Sequence, residues 1–351
     1  TTTTTGRVPI LGDIPFIGAL FGHTSAGTTT REVIIVLTPS VVTENIRETK
    51  AQYPKDDSRF DLYGTTLFKE QYRIRAEDLV DSAHIRFNQR FVRYRDAANK
   101  VIDRNPAFAE RQPYAQFAGR RVPGEFIFVS GMAYRMLERQ NAGEPIPIRN
   151  LKFFTRDGHG QQSPTSVADL VARYGDGRDP ASFFTVNKGR AIAMTFRFSR
   201  ASPAAADMFT EPLPEVRLLD CADREAWRRI LWDLNQPDER GQRFTVLIHD
   251  PSDLRRLQLA VATQNTVLNN GGNAAMVFDR WLPGRMLNMQ EVTPNWERVL
   301  NAQIAQYFFI GEHYYMYFIQ EHQRALGTLD KALRGDEAKP YLEGVTLPPP
   351  A

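Results

Sequence analysis

The chain begins with a change of pattern. Thr1–Thr5 is a run of one polar residue, and apolar groups then arrive in twos and threes between prolines and glycines: Val8, Ile10-Leu11, Ile14, Phe16-Ile17, Leu20-Phe21. Pro9 and Pro15 lack backbone donors and push the residues before them into extended conformations, which excludes a helix. Residues 6–21 therefore read as an irregular, buried, turn-rich segment. The threonine run and the Gly/Thr/Ser stretch after Phe21 read as loops, although threonine also suits a pleated surface. Val33, Ile34, Ile35, Val36 and Leu37 form a β-branched run apolar on both faces, the mark of a strand covered on both sides or facing lipid on one. From Arg31 to Val42 it is long enough for a tilted strand across a bilayer, which needs about 9–11 residues.

Beyond residue 65 the pattern changes to helical spacing. Leu79, Ala83, Phe87, Phe91, Tyr94, Ala98 and Val101 recur every three or four positions, predicting one helix that starts at Ala76 and stops before Pro106. Its other side carries Arg73, Arg75, Arg86, Arg90, Arg93 and Arg95, a face open to solvent, to lipid headgroups or to a neighbour's carboxylates. Residues 106–124 read as loop and 125–141 as helix. Residues 163–174 read as a further helix, with Ser163 capping and Pro164 at its first position. The run 189–198 alternates as a strand, and 200–214 is a linker with three prolines.

Residues 215–290 read as strand, helix, strand, helix, strand, a small open sheet. The strands are VRLLD, FTVLIHD and AAMVF. Cys221–Leu234 is the first helix, with Trp227, Ile230, Leu231 and Leu234 inward, and the second runs from Pro251 to about Leu268. His249-Asp250 at a strand end admits a catalytic reading. The preferred one makes Asp250 the cap of the next helix, with Pro251 in its first position. A last long helix opens at Thr293-Pro294 with a stripe of Trp296, Val299/Leu300, Ile304, Tyr307/Phe308, Tyr314/Tyr315, Phe318, Leu326, Leu329 and Leu333. Tyr307, Phe308, Tyr314, Tyr315 and Phe318 are its candidate subunit-contact residues. His313 and His322 fall on opposite sides of that helix, so no shared metal is expected. The tail 335–351 reads as loose or as a strap on a neighbour.

Composition narrows the classes. The chain is 42% hydrophobic and 24% charged, ordinary for a globular protein. Its 44 basic and 41 acidic residues leave +3, too little to indicate nucleic acid. Cys221 is the single cysteine, which excludes an internal disulfide or a multi-cysteine metal site. No apolar run reaches the length of a membrane helix, though barrel strands leave a weaker trace. No nucleotide, zinc or serine-hydrolase motif stands out, so neither catalysis nor a cofactor is expected. The chain opens without methionine and is expected to be a fragment or a processed chain.

The residues VPILGDIPFIGALF, a polar loop and REVIIVLTPSVV resemble the carboxy-terminal signature of secretins. These are outer-membrane channel subunits of type II and type III secretion and of type IV pilus systems. Val8, Pro9, Leu11, Gly12, Asp13, Ile14, Pro15, Gly18, Leu20, Phe21, Thr38 and Pro39 match the family pattern. The resemblance implies a homo-oligomeric ring of a dozen or more copies, a double-walled β-barrel and a gated pore in a bacterial outer membrane. Its partners would be outer-membrane lipid and secretion or pilus machinery. Val33–Leu37 would form the membrane strand. Secretins carry further strands ahead of this signature, and most end soon after it. Here residues 43–351 follow. The expected fold is thus α+β: a secretin-type barrel hairpin followed by a mixed helix/strand extension. The expected divisions are the end of the barrel domain (1–45), a linker (46–65), a helix-rich part (66–213), a small α/β unit (214–290), the long helix (291–334) and a proline-rich tail (335–351).

Overall fold

The computed structural model describes residues 2–7, 22–27, 71–156, 162–198, 213–289 and 296–348. The chain divides into two compact units, Thr1–Leu62 and Tyr63–Ala351. Architecture is α+β, and no sheet among the described residues closes into a barrel.

In the first unit, β1 (Thr2–Arg7) pairs antiparallel with β2 (Gly22–Gly27), from Thr2 opposite Gly27 to Arg7 opposite Gly22. The threonine run and the Gly/Thr/Ser stretch, both read as loops, are partner strands. Threonine's β-branched side chain favours extended backbone once a partner supplies the ladder.

The second unit opens with β3 (Gln71–Arg73), followed by α1 (Ala83–Arg86), α2 (Gln89–Arg104) and α3 (Glu125–Arg139). The single helix expected from Ala76 is broken. Asn88 accepts hydrogen bonds from the Arg90 and Phe91 amides at 3.0 and 3.1 Å and starts α2 afresh. Phe87 consequently leaves the stripe and is 73% exposed, whereas Phe91, Tyr94, Ala98 and Val101 are buried as their spacing requires.

Next come β4 (Leu151–Arg156), β5 (Gln162–Ser166), α4 (Val167–Arg173) and α5 (Pro180–Val186). Ser163 and Pro164 lie in β5 and cap nothing. The cap is Ser166, whose hydroxyl accepts from the Asp169 amide at 2.9 Å. Pairing with β4 extends this segment and delays the helix by three residues.

The remaining elements are β6 (Arg190–Arg197), β7 (Glu215–Asp220), α6 (Arg224–Leu234), β8 (Arg243–Ile248), α7 (Pro251–Asn269), β9 (Met286–Asn288), β10 (Arg298–Val299) and α8 (Ala302–Arg334). β6 is the centre of a three-stranded sheet in the order β7-β6-β8, antiparallel to both neighbours. The expected third strand, AAMVF, is instead two short 3-10 turns. β6 occupies the place beside β8, and residues 190–197 therefore belong to the same sheet as residues 215–248.

α8 begins at Ala302, not at Thr293-Pro294. Asn301 is its cap, accepting from the Ile304 amide at 2.8 Å. Trp296 and Val299, placed on the helical stripe by their spacing, precede it, and Val299 pairs with Lys152 of β4. Thr293 and Pro294 lie outside the described residues. At about 1.5 Å per residue α8 is about 50 Å long, and His313 (φ −119°, ψ 16°) kinks it. It packs along α3, α7 and the β7-β6-β8 sheet. One continuous core joins residues from 74 to 333, so the parts expected as separate units share their apolar interior. The described part of the tail folds onto this same chain: Arg104 donates to the Tyr341 and Glu343 carbonyls, and Arg334 to that of Pro348 at 2.7 Å.

Candidate functional site

Val8–Phe21, Val33–Leu37, Thr38 and Pro39 lie outside the described residues. Only the flanks of the signature, β1 and β2, are placed, and they meet as antiparallel partners.

The aromatic set on α8 is placed in full. Tyr307, Phe308, Tyr314 and Phe318 are buried, while Tyr315 is 43% exposed. Phe128 of α3 meets the rings of Tyr314 and Phe318 edge-on at 5.6 and 5.4 Å, and Trp227 of α6 meets Phe308 at 6.1 Å. Four of the five side chains read as a subunit contact are therefore occupied within their own chain. The helix is apolar on most sides because α3 covers one flank and α6, α7 and β8 cover the others.

Next to the kink in α8 lies the densest group of charges among the described residues. Glu312 accepts from Arg228 Nε and Arg256 Nη1, both at 2.7 Å, with Arg224 Nη2 at 3.6 Å. Asp253, fully buried, accepts from Arg224 Nη1 at 2.6 Å and from the His249 and Asp250 amides at 2.8 and 3.1 Å. The Arg224 guanidinium also lies 3.4 Å over the Trp227 ring. Burial alone would push Glu312 up, but the Arg228 hydrogen bond and the charges of Arg256, Arg224 and Arg228 outweigh it, and its carboxyl sits below the usual range. For Asp253 burial prevails and the carboxyl is raised, with Arg224 pulling back. The group ties α6, α7 and α8 together where the kink removes regular helical bonding.

The sequence carries a signal for this network. Arg224 and Arg228 are four apart on one helix face, where like charges repel by a few tenths of a kcal/mol, so a carboxylate from another element is a favourable neighbour for them. Periodicity does not say which one.

The other candidate groups resolve locally. Asp250 caps α7, accepting from the Ser252 amide at 2.7 Å, and Pro251 takes the first position. His249 Nδ1 lies 3.2 Å from the Arg190 carbonyl. His313 Nε2 faces the Arg228 carbonyl at 3.1 Å and His322 Nδ1 the Pro123 carbonyl at 3.0 Å, so the two rings serve different neighbours. Burial lowers both imidazoles from their ordinary value. Cys221 is 1% exposed, and burial pushes its thiol up to about 11, far from a reactive thiolate.

A polar hollow of about 600 Å³ opens between α3 and the start of α7, lined among others by Glu138, Glu144, Ser252, Arg255 and Arg256. A second, of about 490 Å³, shares Glu138 and Arg256 and reaches Asp78, Arg139 and Glu312. Its charges answer one another: Arg139 pairs with Asp78 at 3.1 Å and Arg256 with Glu312. Among the described residues no three or more His, Cys, Asp or Glu side chains gather as a metal site would need. The two ion pairs each join residues of separate elements.

No curated protein and no solved structure matches the chain. Residues 1–43 match the family model of secretins, described as bacterial type II and III secretion system protein. Over that stretch, which includes the motif from Val8 to Phe21, the chain is similar to a component of bacterial secretion systems.

Proposed function

We propose that this chain is a subunit of a homo-oligomeric, secretin-like outer-membrane pore for protein secretion or pilus passage, with residues 63–351 forming a peripheral ring. The observation that carries the reading is the secretin match over residues 1–43, which coincides with the twelve motif positions from Val8 to Pro39. The antiparallel pairing of β1 with β2 is compatible with a barrel wall. In this reading the 63–351 unit has a structural role, and no catalysis, cofactor or nucleic acid is assigned to it. The salt-bridged junction of α6, α7 and α8 supports a rigid scaffold. Electron microscopy of the detergent-extracted particle, viewed down its axis, tests the reading. A closed ring of a dozen or more copies is expected, and a monomeric particle would refute it.

A second reading makes the 63–351 unit a docking module for a pilus, cargo or surface-layer partner. Its support is the separation of the chain into two compact units. Deleting residues 63–351 distinguishes the two. Rings that assemble but fail to recruit a partner favour docking; loss of assembly favours the structural ring.

A further inference from the structure

The β7-β6-β8 sheet has two unlike edges. At one, β8 is packed by α6, α7 and α8; at the other, β7 packs chiefly against β6. The Cys221 amide donates to the Gly189 carbonyl at 2.8 Å, one step beyond the paired run from Arg190 opposite Asp220 to Thr195 opposite Glu215. Bonding alternates along an antiparallel pair. Glu215, Arg217 and Leu219 therefore bond to β6, and Val216, Leu218 and Asp220 turn their N–H and C=O groups outward. The Glu215 amide points to β6, so the planar trans peptide ahead of it turns the Pro214 carbonyl outward too. Among the described residues no partner meets these outward groups.

Edge strands kept from pairing are very short, or are broken by a proline or a bulge. β7 runs six residues in unbroken register, with Pro214 just ahead of it. Its charges have partners. Asp220 meets Arg190 of β6 at 3.4 Å, and Glu215 meets Arg217 along the strand at 3.1 Å. Glu215 and Arg217 still stand about half exposed, on either side of the half-buried Val216. Opposite charges two residues apart match a strand that carries them in the reverse direction.

β7 itself is such a strand. Set antiparallel to a second copy and centred on Val216, each Glu215 faces the other copy's Arg217, Val216 faces Val216, and Leu218 faces Pro214. The Val216 amides and carbonyls bond one another, and each Leu218 amide donates to a Pro214 carbonyl. Neighbouring registers fit worse. Centring on Arg217 sets like charges opposite one another, and centring on Leu218 sets Asp220 opposite Val216 and Arg217 opposite Leu219. We propose that β7 is a contact between two copies of this chain, paired antiparallel about Val216 so that their sheets run on into one. Charge complementarity in this register selects a second copy as the occupant. The contact is two-fold and closes no ring; it is separate from the ring contacts of the pore reading and does not rest on them.

The test is crosslinking of the full chain in detergent extract with a short bifunctional thiol reagent, read as linked pairs on a denaturing gel and by mass spectrometry of the linked peptides. V216C places the two new thiols opposite one another. L218C sets them about 14 Å apart along the strands, four residues at about 3.4 Å each. The parent, whose single thiol Cys221 is buried, is the blank. V216C is expected to link and L218C to stay unlinked, with circular dichroism showing that both fold like the parent. E215R/V216C sets arginines opposite one another and should lower the linked fraction at least about threefold, and E215R/V216C/R217E should restore it. Linking through L218C would overturn the proposal, as would linking through neither position. Undiminished linking of E215R/V216C would do the same. A V216C link to a different protein would assign the edge to another partner, and the proposal would fall.

Discussion

Gly131 and Gly311 allow α3 and α8 to cross closely, and replacing them tests the packing more sharply than any change of charge. A Cβ on Gly131 would lie 2.6 Å from Tyr314 Cβ and from its ring Cδ2; one on Gly311 would lie 2.7 Å from Tyr134 Cε1 and Cε2. Contacts below 3.0 Å are ones that real Cβ atoms essentially never make. Gly327, on the same helix α8, would place an added methyl with nothing within 4 Å and serves as the control. Helix propensity by itself favours alanine over glycine by about 0.8–1 kcal/mol at each position. Forcing a methyl into a filled core costs about 1–3 kcal/mol. For Gly131 the obstructing atom, Tyr314 Cβ, is carried by the α8 backbone, so the helices themselves must separate. The cost should reach the upper end, leaving a net loss of about 2 kcal/mol. For Gly311 the obstruction is the Tyr134 ring, which is 1% exposed and has little room to turn, and the net loss should be about 1 kcal/mol. Gly327→Ala should gain about 0.8 kcal/mol. Thermal and urea unfolding followed by circular dichroism reads all three, with about 2–4 °C of Tm per kcal/mol for domains of this general size. If Gly131→Ala melts at or above the parent while Gly327→Ala rises, the close crossing is refuted.

Four further outcomes follow from the electrostatics. The Arg197 hydrogen bond holds the Asp238 carboxyl at about 2; its contribution should persist above the ordinary carboxylate range and vanish as pH falls through that value. Asp238→Asn should remove that part of the acid sensitivity in pH-dependent unfolding, and an unchanged acid limb would contradict the assignment. Burial keeps the His322 imidazole below its ordinary value, the Pro123 carbonyl pulling the other way. The unfolded chain therefore takes up the proton first as pH drops below about 6.5, and stability falls; His322→Gln should lessen the loss between about pH 7 and 5, and a loss as steep as the parent's would show that the ring does not drive it. Cys221 should resist a thiol reagent in the native chain at mildly alkaline pH and react fully in denaturant, whereas labelling at a free-thiol rate without denaturant would contradict its burial. Glu312→Gln leaves Arg224, Arg228 and Arg256 facing one another with Asp253 and the more distant Asp250 to offset them, and should cost about 2–3 kcal/mol by urea titration, discounted for the exposure of the arginines; a loss under about 0.5 kcal/mol, the level of an exposed pair, would show that the network does not clamp the helices.

Local chemistry alone was sufficient for some elements and not for others. Asp250-Pro251 marks the start of α7 because the cap and the proline act within one turn, and the buried positions of α2 from Phe91 to Val101 follow from 3.6-residue spacing. The residues from Val8 to Phe21 resemble the secretin pattern, and residues 1–43 match that family's model, a likeness carried by residue identities and independent of the fold. Where two local solutions compete, partners elsewhere in the chain decided. Ser163-Pro164 is a sound helix start that becomes strand because β4 offers a ladder, and Thr2–Thr5 becomes strand because β2 does. AAMVF satisfies strand propensity yet lies across two 3-10 turns, and the strand that pairs with β8 is β6. Apolar periodicity on α8 required that its aromatic faces be covered but not by what, and α3 and α6 cover four side chains that a neighbouring subunit was expected to meet. Phe87 is the converse case. Its spacing placed it inside, and one capping bond from Asn88 placed it in solvent. Contacts within about four residues can be read from the order of side chains, whereas the choice between covers or between strand partners depends on residues brought together only by the whole fold.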